Sequence, residues 1–139
     1  MLTAIARHPF WNLYGLLIAR VIMGGMLLMA AYFKFTDMNG TAVYIASVGL
    51  SFSLVLAWLA AIFETLAGLA LIMGVFFSET ALILVPYILF LTFMFHGPSL
   101  WASSQTEFGF FVDHLTLVAG LLFMVAHGPG SGWSLRKGE

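Results

Sequence analysis

LAAIFETLAGLALIMG, residues 59–74, is apolar along its length except for Glu64 and Thr65. Such a run reads as part of a bilayer-crossing helix, which takes about 20 apolar residues. A charged side chain at the centre of such a helix costs about 2.5–3.5 kcal/mol on insertion scales. Glu64 must therefore face other helices and find a partner among them. Composition agrees. Of 139 residues, 62% are hydrophobic and 8% charged, with mean hydropathy +1.04, whereas a soluble domain carries about 25% charged residues. A net charge of −1 offers no basic surface for nucleic acid. The lack of cysteine excludes thiol redox chemistry, thiolate metal sites and cysteine-held iron–sulfur clusters.

Working outward, four spans are predicted at about 13–33, 53–77, 80–96 and 108–126, within a single transmembrane domain over residues 1–139. The apolar stretch from Thr41 to Phe77 would make one helix roughly 55 Å long, against a hydrocarbon core of about 30 Å. Gly49, Ser51 and Ser53 break it, leaving Thr41–Leu50 as a short helix or loop on the outer side. A turn around Ser78 and Glu79 makes the second and third spans antiparallel neighbours. Pro86 is expected to kink the third. The fold class is thus all-α: a membrane-embedded antiparallel four-helix bundle with a short extracytoplasmic helix or loop after the first span. Arg7, Arg136 and Lys137 flank the termini, and Lys34 lies on the opposite side. The positive-inside rule then places both termini in the cytoplasm of a multi-pass protein. Trp11, Trp101 and Trp133 fall near span ends, as an aromatic belt requires. The first span is too long for a cleaved signal peptide and contains Arg20.

Arg20, Glu64, Asp113 and His114 lie inside spans, and His96 ends the third. Helical spacing sets Arg20, Gly24, Leu27, Ala31 and Lys34 on one stripe of the first span. It sets Ala57, Ala60, Ala61, Glu64, Ala67 and Gly68 on one stripe of the second, and Asp113, Thr116 and Gly120 on one of the fourth. Small residues beside a polar one let helices approach closely, so these are read as packing faces. Counting residues brings Arg20 and Glu64 to within roughly 7 Å in height, and the two are expected to pair. Asp113 and His114 lie above them, with His96, Lys34 and Glu107 at the outer mouth.

The same residues carry a resemblance. ETLAGLALIMG, with a glutamate opening a glycine- and leucine-rich run, resembles the second helix of the DoxX family of small four-helix membrane proteins. ARVIMGGMLLMAAYFKFTD resembles its first helix, FHGPSLW at 95–101 its third-helix exit, and HGPGSGWSL at 127–135 its terminal element. The ordered set covers nearly the whole chain. The resemblance implies a prokaryotic inner-membrane protein linked to oxidoreduction, in a family that includes subunits associated with thiosulfate:quinone oxidoreductases.

A quinone needs an apolar slot, donors at its carbonyls and a proton route. Glu64, Asp113 and His114 are the catalytic candidates, as proton relays. Arg20, His96 and Trp101 are the cofactor-binding candidates. Two bundle histidines would suit a b-type haem, and His96, His114 and a nearby carboxylate a metal. With no i,i+4 histidine pair and no HExxH motif, neither is expected. The expected function is an integral-membrane, quinone-interacting component of an oxidoreductase system. The expected partners are the lipid bilayer, quinone, and either further copies of the chain or membrane or soluble oxidoreductase subunits. The alternative is a non-catalytic accessory, assembly or scaffold subunit of a larger membrane complex.

Overall fold

The structure, a computed structural model, describes residues 8–135. Arg7, Arg136 and Lys137, on which the expected orientation rests, lie outside the described residues. The described residues form helices and turns without strands: α1 (Leu16–Thr36), α2 (Met38–Ser47), α3 (Ser53–Met73), α4 (Phe77–His96) and α5 (Gln105–His127). A π-helical turn, Trp11–Gly15, leads into α1, and a 3-10 turn, Pro98–Leu100, follows α4. Four helices, Leu13–Thr36, Ser53–Met73, Phe77–Leu100 and Gln105–His127, are long and apolar enough to cross a membrane. The all-α, four-span class is therefore the class observed. The chain divides into two compact units, one of residues 8–77 with 128–135 and one of residues 78–127.

In the first unit α1 and α3 run antiparallel, and α2 packs on α3. The seam is built from the expected stripes. Arg20, Gly24, Leu27 and Ala31 are buried on α1, and Ala57, Ala61, Glu64, Ala67, Gly68 and Leu71 on α3. Gly24 and Gly68 meet backbone to backbone. A Cβ on Gly24 would lie 2.6 Å from the Gly68 carbonyl oxygen, and one on Gly68 would lie 2.8 Å from that of Gly24.

The element ends follow local chemistry. Asp37 closes α1 and opens α2, its Oδ1 accepting from the Gly40 amide at 2.9 Å as an N-cap. The expected short outer element is thus a helix, starting at Met38 ahead of Thr41. Its break from α3 falls where expected, with Gly49 at φ +85°. The second span ends at Met73, short of Phe77, because Gly74 takes the left-handed conformation (φ +69°). The Gly74 amide donates to Leu71 O and the Val75 amide to Ala70 O, the paired bonds of a Schellman motif. The turn into α4 is therefore residues 74–76, and Ser78 and Glu79 belong to the first turn of α4. α4 runs as one helix through Pro86.

In the second unit α4 buries Ala81, Leu84, Ile88, Thr92 and Phe95 at spacings of three and four, and α5 buries Val118, Leu121 and Met124. His114 is half-buried, whereas Asp113 and Thr116 are exposed. The packing phase of α5 is therefore set by the bulky positions 114, 118 and 121. Asp113, about 100° away around the helix, leaves the face on which the small-residue pattern had put it.

The Gly24–Gly68 crossing yields a direct test. Gly24→Val drives Cγ atoms into the α3 backbone and is expected to cost about 1–3 kcal/mol. Gly25→Ala, where an added Cβ meets nothing within 4 Å, is expected to be neutral. Thermal unfolding in mild detergent should separate the two, and equal melting points would refute the backbone contact.

Candidate functional site

In the first unit the polar residues form two separate systems. Arg20 is fully buried. Its Nε donates to Leu71 O at 3.0 Å, its Nη2 to Ile72 O at 2.7 Å, and its Nη1 to Pro129 O and Trp133 O at 3.1 and 3.0 Å. The ring of Phe77 lies 5.6 Å from the guanidinium carbon. These bonds complete an accounting at the end of α3. A helix leaves its last four carbonyls without intrahelical partners. Here Ala70 O takes the Val75 amide, Leu71 O and Ile72 O take Arg20, and Met73 O takes the Leu135 amide at 3.0 Å. Ser134 Oγ then donates to Gly74 O at 3.2 Å. Gly74 has a second role in this arrangement, since a Cβ there would lie 2.6 Å from Arg20 Nη2.

Glu64 does not take Arg20, contrary to the sequence expectation. Its carboxylate accepts Lys34 Nζ at 2.7 and 3.0 Å, with side-chain exposure of 3% for Glu64 and 23% for Lys34. The reason is direction. Every Cα–Cβ bond tilts toward its own helix N-terminus. On antiparallel helices Arg20 therefore points toward the start of α1 and Glu64 toward the start of α3, so the two diverge. Lys34 points back toward Ala30, whose carbonyl lies 3.5 Å from Nζ, and converges on Glu64. The sequence reading used Arg20's reach without its direction, and left Lys34 at the mouth.

The second unit collects His96, Trp101, Glu107 and His114. Ser104 caps α5, its Oγ accepting the Glu107 amide at 3.3 Å. Ser104-Gln105-Thr106-Glu107 is a capping-box spacing, and it sets Glu107 in the first turn of α5. The Glu107 carboxylate meets Nδ1 of His96, the last residue of α4, at 2.6 Å. Trp101 Nε1 donates to the His96 carbonyl at 2.9 Å, and its ring packs edge-on against Phe108 and Phe111. The His96 and His114 rings stand 5.0 Å apart at 70°. His114 Nδ1 is buried with no hydrogen-bond partner.

Of the six residues singled out from sequence, the second unit joins His96, Trp101 and His114. Glu64 and Arg20 lie in the two systems of the first unit, and Asp113 makes no hydrogen bond or ion pair with the cluster of its own unit. Glu107 and Lys34 were missing from the candidate list. The capping-box spacing marks Glu107 only as part of a helix start, and side-chain direction marks Lys34. Chemically, the histidine–carboxylate pair can take up and release a proton, and the unpartnered imidazole nitrogen can hydrogen-bond a ligand oxygen. Among the described residues no three His, Asp or Glu side chains converge as a metal site.

A family model, DoxX, matches residues 15–97. The chain is 32% identical over 118 residues to the inner membrane protein YqjF of Escherichia coli (strain K12), across 84% of this chain and 86% of that protein. No solved structure matches. The family match contains Arg20, Lys34, Glu64 and His96 and stops before Glu107 and His114.

The separation of the two charged systems is testable. Glu64→Gln strands Lys34. Breaking a buried pair costs about 3–5 kcal/mol, and Lys34's partial exposure lowers the expectation to about 1–3 kcal/mol. Arg20→Lys cannot span the four carbonyls with one ammonium and is expected to destabilise independently. The double variant should show additive losses within about 0.5 kcal/mol, because the two residues share no partner. A large coupling energy would restore the Arg20–Glu64 pairing.

Proposed function

We propose a function from two premises: this chain belongs to the DoxX family, and its second unit holds a buried imidazole nitrogen, Nδ1 of His114, without a hydrogen-bond partner beside a histidine–carboxylate pair. The protein is an integral-membrane component of an oxidoreductase system, and quinone binds at the His96–His114 cluster. The observation that carries this reading is His114 Nδ1, buried without a partner. A buried polar atom left unsatisfied costs about 1–3 kcal/mol, and a ligand oxygen at that nitrogen removes the cost.

The donor set fits a quinone headgroup. His114 supplies a hydrogen bond to one carbonyl, and the aromatic rings of Trp101, Phe110 and Phe111 supply apolar walls. Quinone, when bound, accepts two electrons and two protons to become quinol. The electrons would come from a partner oxidoreductase subunit. Protons enter from the helix end, where Glu107 holds His96 and His96 faces His114. Trp101 holds the end of α4 in place through the His96 carbonyl. Both termini are cytoplasmic and the membrane is the prokaryotic inner membrane, as the flanking basic residues and the Escherichia coli relative support. The His96–Glu107 end is then extracytoplasmic.

The test uses purified protein in mild detergent. Solvent extraction is expected to release quinone, and titration with a short-tailed benzoquinone should quench tryptophan fluorescence. Trp101→Phe should remove most of that quenching. His114→Phe is expected to lower affinity at least tenfold with little change in melting temperature. Glu107→Gln should bind quinone while slowing its protonation. No extracted quinone and no quenching would overturn the reading in favour of an accessory subunit.

A further inference from the structure

Asp113 sets a problem that the quinone reading leaves untouched. It lies eight residues into α5, about 12 Å along the helix from its start. It is exposed, and it makes no hydrogen bond or ion pair with any described residue. Its exposed neighbours Phe110, Val112 and Leu115 are apolar. An aspartate is too short to reach the interface from that depth, in contrast to the long basic side chains that snorkel. A carboxylate left without a partner inside a span bears a large part of the insertion cost of about 2.5–3.5 kcal/mol. The surface around it is shaped for close approach. Gly109, one turn before, is exposed with nothing within 4 Å of an added Cβ, and Thr116, one turn after, is exposed too.

We infer that the Gly109–Asp113–Thr116 face of α5 docks a transmembrane helix of a different protein, which presents a lysine or arginine at the depth of Asp113. Charge complementarity selects this occupant over a second copy. The chain has five lysine and arginine residues. Arg20 is bound by four carbonyls and Lys34 by Glu64. Arg7, Arg136 and Lys137 lie outside all four spans. Among the described residues no copy therefore offers a free lysine or arginine inside a span, and a two-fold pair on this face would set Asp113 against Asp113. A basic side chain from another chain neutralises the carboxylate, and Gly109 lets the two backbones come close enough for it to reach.

The experiment replaces Thr116 with a photo-crosslinking phenylalanine derivative in the full chain, irradiates native membranes and identifies the product by mass spectrometry. The expected product is a distinct membrane protein, crosslinked through a span containing lysine or arginine. Asp113→Asn should cut the crosslinked fraction at least tenfold and Asp113→Glu should preserve it. Asp113→Lys should abolish the product, and exchanging the partner's basic residue for aspartate should restore it, which separates docking from misfolding. Adducts to lipid alone, a product that is a second copy, or a yield indifferent to Asp113→Asn would each overturn the proposal. Quinone binding at His114 is measured separately in detergent, so either proposal can fail without the other.

Discussion

The first unit depends on one buried guanidinium. Among the described residues Arg20 has no carboxylate beside it. Its charge is met by four carbonyl oxygens, two of them at the negative end of the α3 dipole, where a cation is stabilised. Arginine suits the position because its planar fork offers five donors in fixed directions. The neighbouring sequence accommodates it. Gly74 ends α3 and leaves room for Nη2. The chain after α5 returns to supply Pro129 O and Trp133 O, and Leu135 and Ser134 close the remaining carbonyls. The terminal glycine–proline–glycine element thus exists to bring backbone acceptors to an arginine that would otherwise be unsatisfied.

The second charged pair shows what a sequence can and cannot reveal about a membrane interior. Stripes at spacings of three and four identified the α1 and α3 packing faces residue by residue, because small side chains in a span carry little other meaning. The same counting placed Glu64 nearest to Arg20 in height. Height is insufficient for partner choice. On antiparallel helices, side chains tilt toward opposite ends of the membrane, so residues slightly past each other along the axis either converge or diverge. Lys34 and Glu64 converge, and Arg20 and Glu64 diverge. That geometry was available from the helix directions alone once the antiparallel order was known.

For the fourth span the sequence was ambiguous in a different way. Asp113 and His114 are adjacent, so only one of them can sit on a given helix face. The small residues Thr116 and Gly120 favoured the aspartate's side, and the large residues Val118 and Leu121 favoured the histidine's. Bulk decided: van der Waals packing, which drives helix association in lipid, buries Val118 and Leu121. Glu107 was hidden by its type: a glutamate near a helix start reads as a cap or dipole partner, and nothing local indicates that its carboxylate turns to a histidine eleven residues earlier.

These observations divide the polar residues by remaining bonding capacity. Arg20, Lys34 and Glu64 are engaged with one another's helices and hold the first unit together. His114 and Asp113 retain capacity, one inward and one outward, and both stand on α5. The family match ends at residue 97; it contains Arg20, its acceptors Leu71 and Ile72 and the lysine–glutamate pair, while the acceptors Pro129 and Trp133 lie beyond it. By the bonding capacity that remains, both proposals rest on α5, with His114 toward a small molecule and Asp113 toward another protein.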